Sequence, residues 1–185
     1  VLKMSYYLIL KKKISNILKK QLDYFWLMHS KLSYVNLKFK NLHKDEECFI
    51  FGNGGSLKYY DISKLNSHLS ICCSFSLIDK RMQKLNPKYC FFTDSYLFYP
   101  LIYNTYPFIR KFQINKFASI FKKIISLSQD TIFFSNVTNF YSLGKLKNMY
   151  YFHHYGDRGG STNDLANKFS TSNSALEIMI NSARY

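Results

Sequence analysis

Cys48-Phe-Ile-Phe-Gly-Asn-Gly-Gly-Ser-Leu57, "CFIFGNGGSL", is the stretch whose reading decides the fold. Four apolar residues in a row, with no polar alternation, read as a short strand buried on both faces. Gly52 ends the run, and Gly54 and Gly55 follow at once. Two more runs repeat the pattern: "LSICCSF" at 69–75, and "YCFF" at 89–92, which follows Pro87 and ends at Thr93-Asp94. "TIFFS" at 131–135 reads as a fourth strand. The intervening 76–86 and 108–127 suit helix, and 58–69 suits helix or irregular chain. Strand, crossover, strand predicts an α/β fold with a Rossmann-like parallel sheet. The polar, glycine-containing 153–164 reads as a loop carrying solvated His153 and His154, and 165–185 as a closing helix.

At 185 residues the chain has enough length to bury one core, and 47% hydrophobic content excludes wholesale disorder. Its 26 Lys and Arg against 11 Asp and Glu leave a formal charge of +15. Such an excess favours an anionic partner: nucleic acid, a phosphate-bearing small molecule or an acidic membrane. A coding bias toward Lys, Asn, Ile, Phe and Tyr is the other source of that charge. The chain has no RNP-like motif, zinc-ligand spacing or helix-turn-helix pattern, and its lysines crowd the first 45 residues. Nucleic acid is therefore set aside. Cys48, Cys72, Cys73 and Cys90 form no CxxC pair and read as free thiols in a reducing compartment.

Residues 1–45 read as a basic amphipathic helical extension, and 46–185 as the α/β domain. Tyr7, Leu10, Ile14, Ile17 and Leu18 step by three and four, with lysines elsewhere around the wheel. Phe25, Trp26 and Leu27 follow. Such a helix either lies on an anionic membrane surface or packs on the next domain. No apolar run reaches the roughly 20 residues of a membrane span. The expectation is a cytoplasmic protein, with peripheral contact at the inner face of the cell membrane open to residues 1–45.

In an open parallel sheet, ligands bind beyond the carboxyl ends of the strands, and "GNGGSL" stands at such an end. Gly52, Gly54 and Gly55 permit positive φ and let a ligand touch the main chain. Freed amides favour a phosphate, while Asn53 and Ser56 add an amide and a hydroxyl. Ser74 follows the second run and Asp94 the third, so with neighbouring strands all converge on one rim. Asp94 there could take sugar hydroxyls, hold a metal ion or cap the next turn. Leu57 breaks both the P-loop ending and the third glycine of a dinucleotide fingerprint. A tight strand-to-helix turn without ligand is the other use of these glycines.

"FIFGNGGSLKYYDISKL", "ICCSFSLIDK" and "KYCFFTDSYLFY" together resemble the bacterial lipooligosaccharide sialyltransferases of glycosyltransferase family 42 and related bacterial glycosyltransferases. Those enzymes open with a strand, a GNGPSL turn and a downstream Asp. Here Gly55 replaces the proline and Asp61 stands at the matching place. "FSTSNSALEIMINSARY" resembles the family's threonine-serine-glycine segment, with Asn173 for glycine. The resemblance covers residues 48–185. It implies a variant GT-A fold, a CMP-sialic acid donor and transfer without a bound metal or other cofactor. Gly52, Asn53, Gly54 and Ser56 would then meet the nucleotide, and Thr171 with Ser172 the donor sugar. Ser74 replaces a family Asn that faces the nucleotide and Asp94 another near the donor, so both join Gly55 in the implied nucleotide-binding set; Phe169 replaces an Arg. The family's departing-phosphate tyrosines and its histidine base match nothing up to Tyr185, so no catalytic residue is named and the domain reads as incomplete.

The expected function is transfer of a sugar from a nucleotide-sugar to a cell-surface glycan or glycolipid. The alternatives are a catalytically inactive remnant of that fold and a basic nucleic-acid-binding protein.

Overall fold

The computed structural model describes residue 14 and residues 31–93, 107–155, 162–170 and 174–185. Apart from Ile14, the first 30 residues, which carry most of the expected basic helix, lie outside them. Seven strands form one sheet: β1 (Cys48–Phe51), β2 (Leu69–Cys73), β3 (Tyr89–Phe92), β4 (Ile132–Asn136), β5 (Met149–Tyr155), β6 (Thr162–Asn163) and β7 (Lys168–Ser170). Among the described residues from 31 onward, five α-helical segments accompany them: α1 (Lys31–Tyr34), α2 (Lys80–Leu85), α3 (Pro107–Leu127), α4 (Phe140–Leu143) and α5 (Ala175–Ala183). The sheet order is β1-β2-β3-β4-β5-β7-β6. β1 to β5 run parallel, β7 joins β5 in parallel, and β6 pairs antiparallel at the far edge. The chain is thus an α/β protein on a parallel, Rossmann-like sheet. Among the described residues, no helix is long and apolar enough to cross a membrane.

A strictly sequential run from β1 to β5 has a steric consequence. Right-handed crossovers that all step the same way must all pass over the same face. That face buries Phe51, Cys72, Cys90, Phe92 and Phe133 beneath 3-10 turns, α2, α3 and α4. Ala118, Phe121 and Ile125 of α3 point into it at spacings of three and four, which is the inner stripe of an amphipathic helix. Each buried phenylalanine contributes about 2–3 kcal/mol of apolar transfer.

The opposite face presents the alternate residues, Ile71, Cys73, Phe91, Phe134 and Phe152. Among the described residues no crossover helix covers it; Leu165 and Ala166 of the β5–β7 connection, residues 31–39 and α5 close the face. Ile178 and Met179 of α5 pack there. From the other side come α1 and the 3-10 turn Val35–Phe39. Ser33 Oγ donates to Ala166 O at 2.8 Å, and Asn36 Nδ2 donates to Tyr151 O at 2.8 Å and Leu165 O at 2.9 Å. The Phe39 ring sits edge-on against Phe134 and Tyr150, with centroids 5.1 and 4.9 Å away. Asn41 N donates to Tyr185 O at 2.8 Å, joining the two flanks. Residues 31–39 are therefore held against the sheet through Ser33, Asn36 and Phe39.

Two readings are corrected. "YYFHHY" continues β5 through both histidines, so His153 and His154 are buried strand residues and not solvated loop residues. They pair with Lys168 and Phe169 of β7, whose ladder satisfies their main-chain polar groups. Residues 168–170, expected as helix, form that partner strand, and the closing helix is confined to Ala175–Ala183.

All four cysteines are free, and Cys72, Cys73 and Cys90 are buried. Burial drives the Cys90 thiol well above its ordinary value, and raises that of half-buried Cys48. Native protein titrated with a disulfide reagent is expected to release one equivalent, slowly and faster as pH rises, because the thiolate is the nucleophile. Unfolded protein should release four. Two or more rapid native equivalents would contradict this core.

Candidate functional site

β1 delivers the chain to the glycine turn, which crosses Gly52, Asn53 and Gly54 and enters a 3-10 turn at Gly55–Tyr59. Gly54 has φ −65° and ψ 138°, ordinary extended backbone. Among the described glycines, positive φ occurs at Gly144, at 71°, and at none of the turn glycines. The expected left-handed backbone is absent, because extended residues feed directly into a 3-10 turn. The glycines matter here through the bareness they leave. A Cβ built on Gly52 or Gly55 meets nothing within 4 Å, and one on Gly54 meets Ser56 Oγ at 3.3 Å. Gly55 and Ser56 open the 3-10 turn, so their amides have no acceptor within it.

The turn is tied to the next loop of the rim. Ser76 Oγ donates to Asn53 Oδ1 at 2.8 Å and lies 3.4 Å from Gly52 O. Ser76 is 5% exposed and belongs to the 3-10 turn Ser74–Ile78 that leaves β2. With Oδ1 engaged, Asn53 keeps its Nδ2 group as a donor on an exposed side chain. Ser74 opens the same 3-10 turn and stands at the carboxyl end of β2, as expected. Ser76 was missed because the apolar run reads through Phe75, whereas the strand stops at Cys73. That two-residue difference moves Ser76 from a presumed helix start onto the rim.

Further along, Thr93 ends the described part of β3's exit and is buried. Asp94, the residue expected beside it, lies outside the described residues, as do Thr171 and Ser172. At the end of β4, Asn136 Oδ1 accepts from Thr138 N at 3.0 Å, and Asn136 Nδ2 lies 3.4 Å from His154 O. The carboxyl ends of β1 to β4 therefore each carry a polar residue, Asn53, Ser76, Thr93 and Asn136. The sequential strand order contains no reversal between β1 and β5, so the glycine turn stands at the edge of the sheet.

Three charged groups, Asp61, Asp79 and Arg81, are engaged after the turn. Arg81 Nη2 pairs with Asp79 Oδ2 at 2.6 Å, and Arg81 Nη1 donates to Leu57 O at 3.3 Å. This bond attaches α2 to the back of the turn and brings a guanidinium beside it. The hydrogen bonds from Arg81 hold the Asp79 carboxyl below the usual carboxylate range. Asp61 caps the 3-10 turn Ile62–Leu65, its Oδ1 accepting from Ser63 Oγ at 2.6 Å and Ser63 N at 3.2 Å. Those two bonds lower its pKa as well.

No protein-family model, curated protein or solved structure matches this chain.

Proposed function

We propose that this chain binds a nucleotide phosphate on the Gly52–Ser56 turn and is a nucleotide-sugar-dependent glycosyltransferase of the sialyltransferase type, with a variant GT-A fold. One observation carries the reading: the bare glycine turn at the end of β1 is fastened by Ser76 Oγ to Asn53 Oδ1 at 2.8 Å, with nothing above Gly52 or Gly55. A preformed turn with exposed amides accepts an oxyanion without reorganising. The formal charge of +15 adds a general preference for anions.

In the proposed reaction an acceptor hydroxyl oxygen bonds to the anomeric carbon as that carbon's bond to the phosphate oxygen breaks, and the hydroxyl proton is released to water. The electron pair leaves with the nucleotide, where the turn amides meet its developing charge. Gly52, Asn53, Gly54, Gly55, Ser56 and Ser74 form the nucleotide side, joined by Ser76. Asp94, Thr171 and Ser172 complete the donor side. The donor is CMP-linked, no metal is required, and the acceptor is a cell-surface glycan at the inner membrane face.

The test separates ligand binding from folding. CMP, UDP and GDP are added at millimolar concentration and the melting temperature is followed. At tenfold the dissociation constant a ligand adds about 1.4 kcal/mol, or roughly 3–5 °C for a chain of this size. Gly55→Leu should keep the unliganded melting temperature within about 2 °C, since the new side chain meets open space. The same variant should erase the nucleotide shift. If no nucleotide moves the wild-type transition, the proposal falls. Binding without hydrolysis or transfer of CMP-sialic acid would instead favour an inactive remnant.

A further inference from the structure

A second hollow lies at the other end of the strands. Its volume is about 270 Å³, and it opens where β1, β2 and β3 begin, between residues 39–46 and the end of α5. The glycine turn is at the carboxyl ends of the same parallel strands, so the two places share no residue.

The floor of this hollow is apolar, formed by Leu69, Ile71, Phe91 and Phe134. Charged Lys44, Asp45, Glu46 and Arg184 also line the hollow, and two polar side chains, His43 and Tyr89, are linked beside its floor. His43 Nδ1 stands 3.1 Å from Glu46 Oε2, and His43 Nε2 stands 2.7 Å from the Tyr89 hydroxyl. A carboxylate only accepts, so in the neutral imidazole Nδ1–H donates to Glu46 and Nε2 accepts from Tyr89 O–H. That order spends the Tyr89 proton and leaves its oxygen lone pairs to receive a hydrogen bond. Tyr89 is 7% exposed. Tyr185 lines the same hollow and is buried.

We propose that this hollow is a binding site for a small neutral aromatic molecule of one or two rings carrying a single O–H or N–H donor, such as a phenol or an indole. The donor bonds the Tyr89 oxygen while the ring lies on Ile71, Phe91 and Phe134. Size agrees, because a dry cavity of ~150 Å³ already accepts a benzene ring. Charges of both signs line the hollow, Lys44 and Arg184 with Asp45 and Glu46. Burial, with Glu46 and Cys48 close by, pushes the Tyr89 phenol up to about 12, so next to Tyr89 a neutral donor is favoured over an anionic group.

The experiment uses the full chain with 4-fluorophenol, fluorobenzene and 4-fluorobenzoate, followed by fluorine NMR, and indole followed by calorimetry. Saturable binding of 4-fluorophenol and indole is expected, with fluorobenzene about tenfold weaker and the benzoate weakest. Tyr89→Phe keeps the shape and removes the acceptor, so 4-fluorophenol should fall to the level of fluorobenzene, whose own binding is unchanged. Cys48→Phe, placed on the wall from an edge strand, should abolish binding of all probes. CMP should displace none of them, so this site can fail or stand independently of the nucleotide reading. Absence of saturable binding by both phenol and indole overturns the proposal. So does binding that Tyr89→Phe leaves unchanged.

Discussion

Replacing Phe134 with alanine is expected to lower the free energy of unfolding by about 4 kcal/mol. Phe134 is 1% exposed at the middle of β4. Its ring stacks on Phe91, with centroids 4.8 Å apart and planes 11° apart, and receives the edge of Phe39 at 5.1 Å. Tyr89 and Tyr150 complete the cage at 6.1 and 5.8 Å. Removing the ring forfeits its transfer energy and leaves a void that strands on either side cannot close, because their spacing is fixed by the ladder. Urea unfolding should move its midpoint down by roughly 1.5–2 M with an unchanged slope. Leu176→Ala, at a half-exposed position of α5, is the control and should stay within about 0.5 kcal/mol. A loss below 1 kcal/mol at Phe134 would mean that the aromatic layer is not packed as described.

Asn36→Ala is expected to cost about 3 kcal/mol, although it removes few atoms. Asn36 is fully buried, and its Nδ2 serves two carbonyls, Tyr151 on β5 and Leu165 ahead of β7. Truncation strands both acceptors away from water. Asn36→Asp tests the same point by sign, since it keeps the shape while facing those carbonyls with a carboxylate. That variant should be less stable than Asn36→Ala at pH 7. Burial raises its folded pKa, so it binds a proton more readily when folded. Its stability should therefore recover as pH falls through that raised value toward ~4, where the unfolded carboxyl titrates. If Asn36→Asp equals wild type at neutral pH, the two hydrogen bonds are not formed.

Much of the sheet was legible because its first four strands announce themselves chemically. β1, β2, β3 and β4 are runs of Phe, Ile, Cys and Tyr bounded by Gly, Pro or polar residues, as expected for strands covered on both faces. β5 ends in two histidines and β7 has three residues, so neither offers a periodic pattern. What makes β7 a strand is a ladder to His153 and His154, a tertiary fact that local propensity does not contain. Of the two uses expected of the turn glycines, positive φ does not occur, whereas the main chain at Gly52 and Gly55 is left open. The hollow near Tyr89 was invisible. It is assembled from residues 39–46 and 182–185, and nothing local links segments so far apart.

The division of labour between the two faces bears on how the chain is made. Crossovers cover their side as each strand is added, but the other side has only Phe39 and its neighbours on it until Ala175–Ala183 arrives. On the ribosome, Ile71, Phe91 and Phe134 are already synthesised and laid out in one plane before their lid has been translated. The nascent protein must pass through a half-clad state with an oily flank, the form a holdase chaperone recognises and the form most prone to clump if translation stalls.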